Sequence, residues 1–303
     1  HIVRFHILAE DQLRGGDRNE GAGILRLLRG GEHFAASVLR KFHVIYRGVV
    51  LEEPERQPGL AGGLQTAVTV LFVLGSFGPL LAGLGVSARL GGTAGAQALL
   101  RRVLQWRVPG RWYLIALALP VAIILPASLA ALLTGGPASP VALLPVRIVL
   151  LPVFQLLTMA TGELGWRGVA LALVQRRNDA QQSSYMVAIM WIIWSLPWLA
   201  ALYLSAPAGT NLPLAMVGWI SFLIGASLLL TWLYDQTASL GLCMLYMATS
   251  LTLWTLGSQL LPWNSLAQMV WGLASWLVGE LVLRRYRART AGRHGGPVRR
   301  RRR

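Results

Sequence analysis

LPLAMVGWISFLIGASLLLTWL, residues 212–233, runs for 22 positions without an Asp, Glu, Lys, Arg or His. A helix of that length rises about 33 Å at ~1.5 Å per residue, enough to cross a hydrocarbon layer of ~30 Å. It has no charged face to turn to water, so lipid is the solvent that suits it.

Comparable runs flank it on both sides. Downstream lie Leu240–Thr255 and Leu266–Leu283; upstream lie Leu64–Gly85, Trp112–Leu133, Val141–Val174 and Met186–Leu204. The sequence therefore predicts an all-α fold, a polytopic transmembrane bundle of about seven spans. The third run is too long for one straight span. Pro145, Pro152, Glu163 and Arg167 interrupt it, which predicts a tilted or broken helix. Between residues 60 and 283 the only acids are Glu163, Asp179, Asp235 and Glu280.

Charge orients the bundle. Residues 86–111 carry Arg89, Arg101, Arg102, Arg107 and Arg111, and Ala98–Trp106 reads as a short basic amphipathic helix on the membrane surface. Segment 175–184 and everything after Leu283 are also arginine-bearing, whereas 134–140, 205–211 and 256–265 hold no Lys or Arg. The two sets alternate. The positive-inside rule then places the arginine segments and the C-terminus in the cytoplasm of a multi-pass cell-membrane protein. Trp106, Trp112, Trp198, Trp232, Trp263 and Trp276 fall near span ends, as an interfacial belt requires.

The net charge of +16 is concentrated in the tail, where ten of the 28 basic residues are arginines in the last 20 positions. Directly after a membrane helix, such a run reads as a flank for anionic lipid and not as a nucleic-acid site. Three regions are expected: a non-membrane segment at 1–58, not native or disordered; the transmembrane domain at 59–283; and a basic cytoplasmic tail at 284–303. The first methionine is Met159, and the chain is expected to be a fragment or to start upstream of its natural start. Lys41 is the single lysine, a bias that points to a GC-rich, bacterial coding sequence. Cys243 is the only cysteine and excludes an intrachain disulfide.

A charge within a span costs about 2.5–3.5 kcal/mol on insertion scales and marks a candidate site. Glu163 and Arg167 stand four apart, on one helical face, and can pair; Arg147 lies nearer a span end and can snorkel. The plain reading of the pair is mutual neutralisation that pins two helices together. No zinc site is legible: the five histidines, His1, His6, His33, His43 and His294, all lie outside the membrane body. Glu163 and Cys243 are too few ligands for a hydrolytic metal centre. Ser195 has no intramembrane His or Lys to activate it as a nucleophile. No cofactor is predicted.

The string Gly162-Glu163-Leu164-Gly165-Trp166-Arg167-Gly168 resembles the first motif, Glu-Glu-x-x-x-Arg, of the CPBP family. These are intramembrane metalloproteases that include the type II CAAX prenyl endopeptidases and bacteriocin-immunity proteins. The likeness continues in order. Ser76-Phe77-Gly78-Pro79-Leu80-Leu81-Ala82 is similar to the family's first helix, and Leu104–Arg107 with Arg111-Trp112-Tyr113 to its basic loop. Trp191–Pro197 stands where the family has Phe-x-x-x-His-Leu-Pro. Thr231–Thr237, Ser239-Leu240 and Tyr246-x-x-x-Ser250 stand where it has a WLY-x-x-T-x-SL turn and His-x-x-x-Asn. The resemblance covers about residues 68–277.

The resemblance implies a metallo-endopeptidase acting on membrane or prenylated substrates, with zinc or another divalent metal if that activity is retained. It also implies that the first motif glutamate activates water and that the two histidines and the asparagine complete the site. Those positions are Gly162, Ser195, Tyr246 and Ser250; Glu163 and Arg167 are the remnants. The expectation is a degenerate homologue that binds the bilayer and a membrane peptide or partner helix, and no nucleic acid. Its oligomeric state is not legible. Two alternatives stay open: an active endopeptidase with rearranged ligands, and a small transporter or permease subunit with Glu163 and Arg167 in its path.

Overall fold

The computed structural model describes residues 75, 77–135, 145–204 and 210–294. The expected segment 1–58 and most of the first expected span lie outside them. Among the described residues every regular element is a helix: α1 Gly78–Val103, α2 Gly110–Thr134, α3 Pro145–Gly165, a π-helical turn Trp166–Ala170, α4 Leu171–Val174, α5 Ala180–Leu204, α6 Leu212–Thr237, α7 Leu240–Leu260 and α8 Ser265–His294.

Among the described residues five stretches are long and apolar enough to cross a membrane: Gly110–Thr134, Ile148–Val174, Leu212–Thr237, Leu240–Leu260 and Ser265–Ala288. The protein is a multi-pass helical membrane protein. Of the seven expected spans, these are the second, third, fifth, sixth and seventh. The fourth coincides with α5, which begins earlier than Met186 because Asp179 caps it: its Oδ1 accepts from the Gln182 N–H at 2.9 Å. The outer faces suit lipid. Leu114, Leu125 and Leu133 of α2 are 68%, 60% and 74% exposed, while Ala116, Ala127 and Ala131 on its opposite stripe are fully buried.

Two boundaries differ from expectation. Helix α1 does not end at Gly85; it breaks at Gly91 and Gly92, the latter at φ 60°, ψ −156°, which a side chain would strain. The helix after the break, expected as a short basic amphipathic helix on the membrane surface, is an arm with one face docked on the bundle. Leu99 is buried against Leu164 and Leu240, while Gln97, Ala98, Leu100, Arg101 and Leu104 are exposed. Helix α8 runs past Leu283 to His294, extending into the region expected as tail. Arg284 pairs with Glu280 one turn back, and Arg287 pairs with Asp179 at 2.7 Å, so the basic segment has acids to hold it.

The centre is built by α6 and α8, which run parallel at backbone contact. A methyl group on Gly218 would collide with the backbone of Gln268, one on Gly225 with Ser275, and one on Gly272 with the carbonyl of Gly218. Small residues let membrane helices approach until dispersion holds them, since lipid supplies no hydrophobic drive. Trp219, Phe222, Trp254 and Trp271 fill the adjoining core, with Phe222 and Trp271 stacked at 4.0 Å. Of the tryptophans expected in the belt, Trp112 is instead buried edge-on against Trp232 at 5.5 Å.

The arginine-bearing segments meet at one end. Ser239 donates to the carbonyl of Gln105, Gln175 to Asp235, and Arg287 to Asp179. At the other end Asn264 donates to Thr134, and Gly135 abuts Pro262. Among the described residues, the ends of these loops fall on the two sides that the alternation requires.

Candidate functional site

The site grows from the crossing of α1 and α3. Gly165 has no room for a side chain because the backbone of Pro79 lies against it, and Gly83 sits at the same crossing. The chain then widens into the π-turn Trp166–Ala170, where the Leu171 N–H reaches back five residues to the Trp166 carbonyl. A π-turn shifts carbonyls out of regular helical pairing. Arg102, from the docked arm, donates Nη1 to the Gly168 carbonyl at 3.2 Å. A side chain on Gly168 would press on Leu99 at 2.7 Å, so this glycine is what admits the arm.

Glu163 and Arg167 turn into the protein, 1% and 0% exposed. Arg167 Nη1 donates to Glu163 Oε1 at 3.0 Å. The guanidinium lies over the indole of Trp191, 4.7 Å from its centre, and Trp166 leans on the same indole at 6.4 Å. A cation over an aromatic face in a dry setting gains roughly 2 kcal/mol. The pair is not fully satisfied: Glu163 Oε2 and Arg167 Nε and Nη2 have no hydrogen-bond partner among the described residues. Buried polar atoms of this kind are few in native proteins and call for an explanation.

The other positions singled out by sequence are spread around this pair. A methyl at Gly162 would meet only Trp166, at 3.7 and 4.0 Å, so the position has room for a side chain. Ser195, one turn beyond Trp191, donates its hydroxyl to the Trp191 carbonyl at 2.8 Å. Tyr246 is 2% exposed in the main core, and Ser250 donates to its carbonyl at 2.9 Å. Cys243 is buried, with Sγ 3.8 Å from the Leu230 carbonyl. Arg147 falls in the first turn of α3; its side chain lies outside the described residues. The structure thus brings Gly162, Glu163 and Arg167 together, with the Trp191 ring over the guanidinium, and bonds Ser195 to its own helix. Tyr246 and Ser250 are both buried on α7, where the Ser250 hydroxyl is bonded to the backbone.

Arg102 and Trp191 carry roles that the sequence did not assign to them. Arg102 was one of five loop arginines with nothing to distinguish it. Its spacing of three from Leu99, on one helical face, was the available signal.

A divalent metal does not fit this donor set. Among the described residues no three of His, Cys, Asp or Glu come together. The one central carboxylate already holds a guanidinium 3.0 Å away, whose charge would repel a dication.

Fold and site together define a polytopic helical membrane protein with a buried ion pair in a π-bulged helix. Residues 142–251 match the family model described as type II CAAX prenyl endopeptidase Rce1-like. That segment, about a third of the chain, is thus similar to the CPBP family of intramembrane proteases, as motif one and its successors implied. The resemblances at 76–82 and 104–113 lie outside the matched residues. The comparison with curated proteins gave no match.

Proposed function

We propose that this protein is a non-catalytic member of its family, which holds a membrane peptide or partner helix at the site where the family cuts. The observation that supports this most directly is the fate of the four replaced positions. Gly162 offers no atom, the hydroxyls of Ser195 and Ser250 are spent on their own helices, and Tyr246 is packed in the core. Water activation needs a free base within about 2.6–3.2 Å of the proton it takes, and Glu163 is engaged by Arg167.

What the site does keep is polar capacity. The orphaned Nε and Nη2 of Arg167 and Oε2 of Glu163 amount to two donors and one acceptor beside the open position 162. A backbone amide offers the matching acceptor and donor, and in lipid its satisfaction matters because no water competes. The arginine end faces the cytoplasm in this reading, and residues 284–303 form a basic flank there.

The test is turnover and capture by the purified protein. Wild type is expected to leave prenylated and unprenylated membrane peptides intact, and to crosslink a transmembrane peptide through a photoreactive group at Gly162. Cleavage abolished by chelator and by Glu163→Ala would establish a working metalloprotease and overturn the proposal. Solute flux across vesicles that depends on Glu163 would favour a transporter instead.

A further inference from the structure

We propose that a groove along α8 is a binding site for one anionic phospholipid of the leaflet at the arginine end. The groove is a shallow, open one of about 610 Å³ between Tyr185 of α5 and one face of α8. Its wall is apolar from Val270 through Leu273 to Leu277, the last two 41% and 62% exposed. It then turns polar at Glu280 and Arg284. From Val270 to Glu280 the helix rises about 15 Å at ~1.5 Å per residue, half of a ~30 Å hydrocarbon layer. The groove therefore has the length of one leaflet, with its polar border at the interface.

The border is built, not incidental. Tyr185 donates to Glu280 Oε2 at 2.9 Å, Trp276 Nε1 donates to the Tyr185 hydroxyl at 3.2 Å, and Gln181 donates to Glu280 Oε1 at 2.6 Å. This network holds Glu280 at 14% exposure while Arg284, bonded to it through Nε, is 69% exposed. The two terminal nitrogens of Arg284 make no hydrogen bond to the described residues. They form an outward donor pair at the mouth of the groove, and the next residue, Arg285, is exposed and adds the net positive charge. A phosphate diester matches that pair, and the excess of arginine selects a headgroup with no compensating cation.

Native mass spectrometry of the full chain in detergent, with phosphatidylglycerol and phosphatidylcholine of equal chain length as probes, tests the site. One phosphatidylglycerol should be retained per chain in preference to phosphatidylcholine. Arg284→Ala should weaken retention about fivefold, the effect of one interfacial arginine. Leu277→Trp, which fills the groove and leaves every charge in place, should weaken it as well. Arg176→Ala, at an exposed arginine elsewhere on the same end, should not. Equal retention of the two lipids, equal loss in Arg176→Ala and Arg284→Ala, or no loss in Leu277→Trp would each overturn the proposal. So would a groove occupied by a second copy of the chain, seen as a dimer that lipid does not displace.

Discussion

Arg102 reaches across 66 positions of sequence to the carbonyl of Gly168, one residue beyond Arg167. The bond ties the arm that follows the Gly91–Gly92 break to the π-turn that carries the ion pair. With Leu99 seated on Gly168, it makes the arm part of the site's scaffold.

Loss of that tie should free the arm. A hydrogen bond from a charged donor contributes about 1.5–3 kcal/mol when buried, and this one is partly buried. Arg102→Ala is expected to lower stability by about 1.5 kcal/mol in a detergent melt and to expose the Gly91–Gly92 break to protease. An unchanged digestion pattern would show that Leu99 alone holds the arm.

The ion pair should behave as a unit. Removing one partner from a buried pair leaves an uncompensated charge and costs about 3–5 kcal/mol, whereas removing both costs less. Glu163→Gln and Arg167→Met should each destabilise strongly, and the double variant should recover part of the loss. A double-mutant cycle in detergent measures the coupling. Additive losses would mean that the two charges do not sense each other.

Two glycine substitutions should differ in sign. Gly272→Ala drives a methyl group into the Gly218 carbonyl and should cost about 1–3 kcal/mol, the range for overpacking. Gly162→Ala meets only ordinary contacts and should gain about 0.5–1 kcal/mol from helix propensity. Thermal melts of the two variants read both effects; a destabilised Gly162→Ala would show that the space beside Trp166 is already filled.

The proposed orientation predicts which side the arginines face. A cysteine placed at Gly295, in a chain with Cys243→Ala, should resist an impermeant thiol reagent in intact cells and react after lysis. A cysteine at Asn264, at the opposite end, should react in intact cells. Reaction of the first from outside would invert the topology.

Much of the architecture was legible because lipid imposes a local rule: each spanning segment must satisfy its own backbone, so the run 212–233 announces its helix without reference to any partner. The spacing of Glu163 and Arg167 likewise predicted a shared face, and the pair is found at 3.0 Å. Boundaries were less legible because caps set them. Asp179, Asn211 and Ser239 each accept from a backbone N–H at a helix start, and such bonds leave little trace in hydropathy.

Sequence by itself determined the helical membrane class, the alternation of arginine and arginine-free loops and the family that residues 142–251 resemble. Tertiary structure alone decided that the arm after Gly92 docks on Gly168, and that Gly218 and Gly272 bring α6 and α8 to backbone contact. It also decided that Trp191 covers Arg167. These relations join residues far apart in the chain. They depend on which glycine meets which carbonyl in three dimensions, and a one-dimensional pattern of hydropathy and charge carries no record of that.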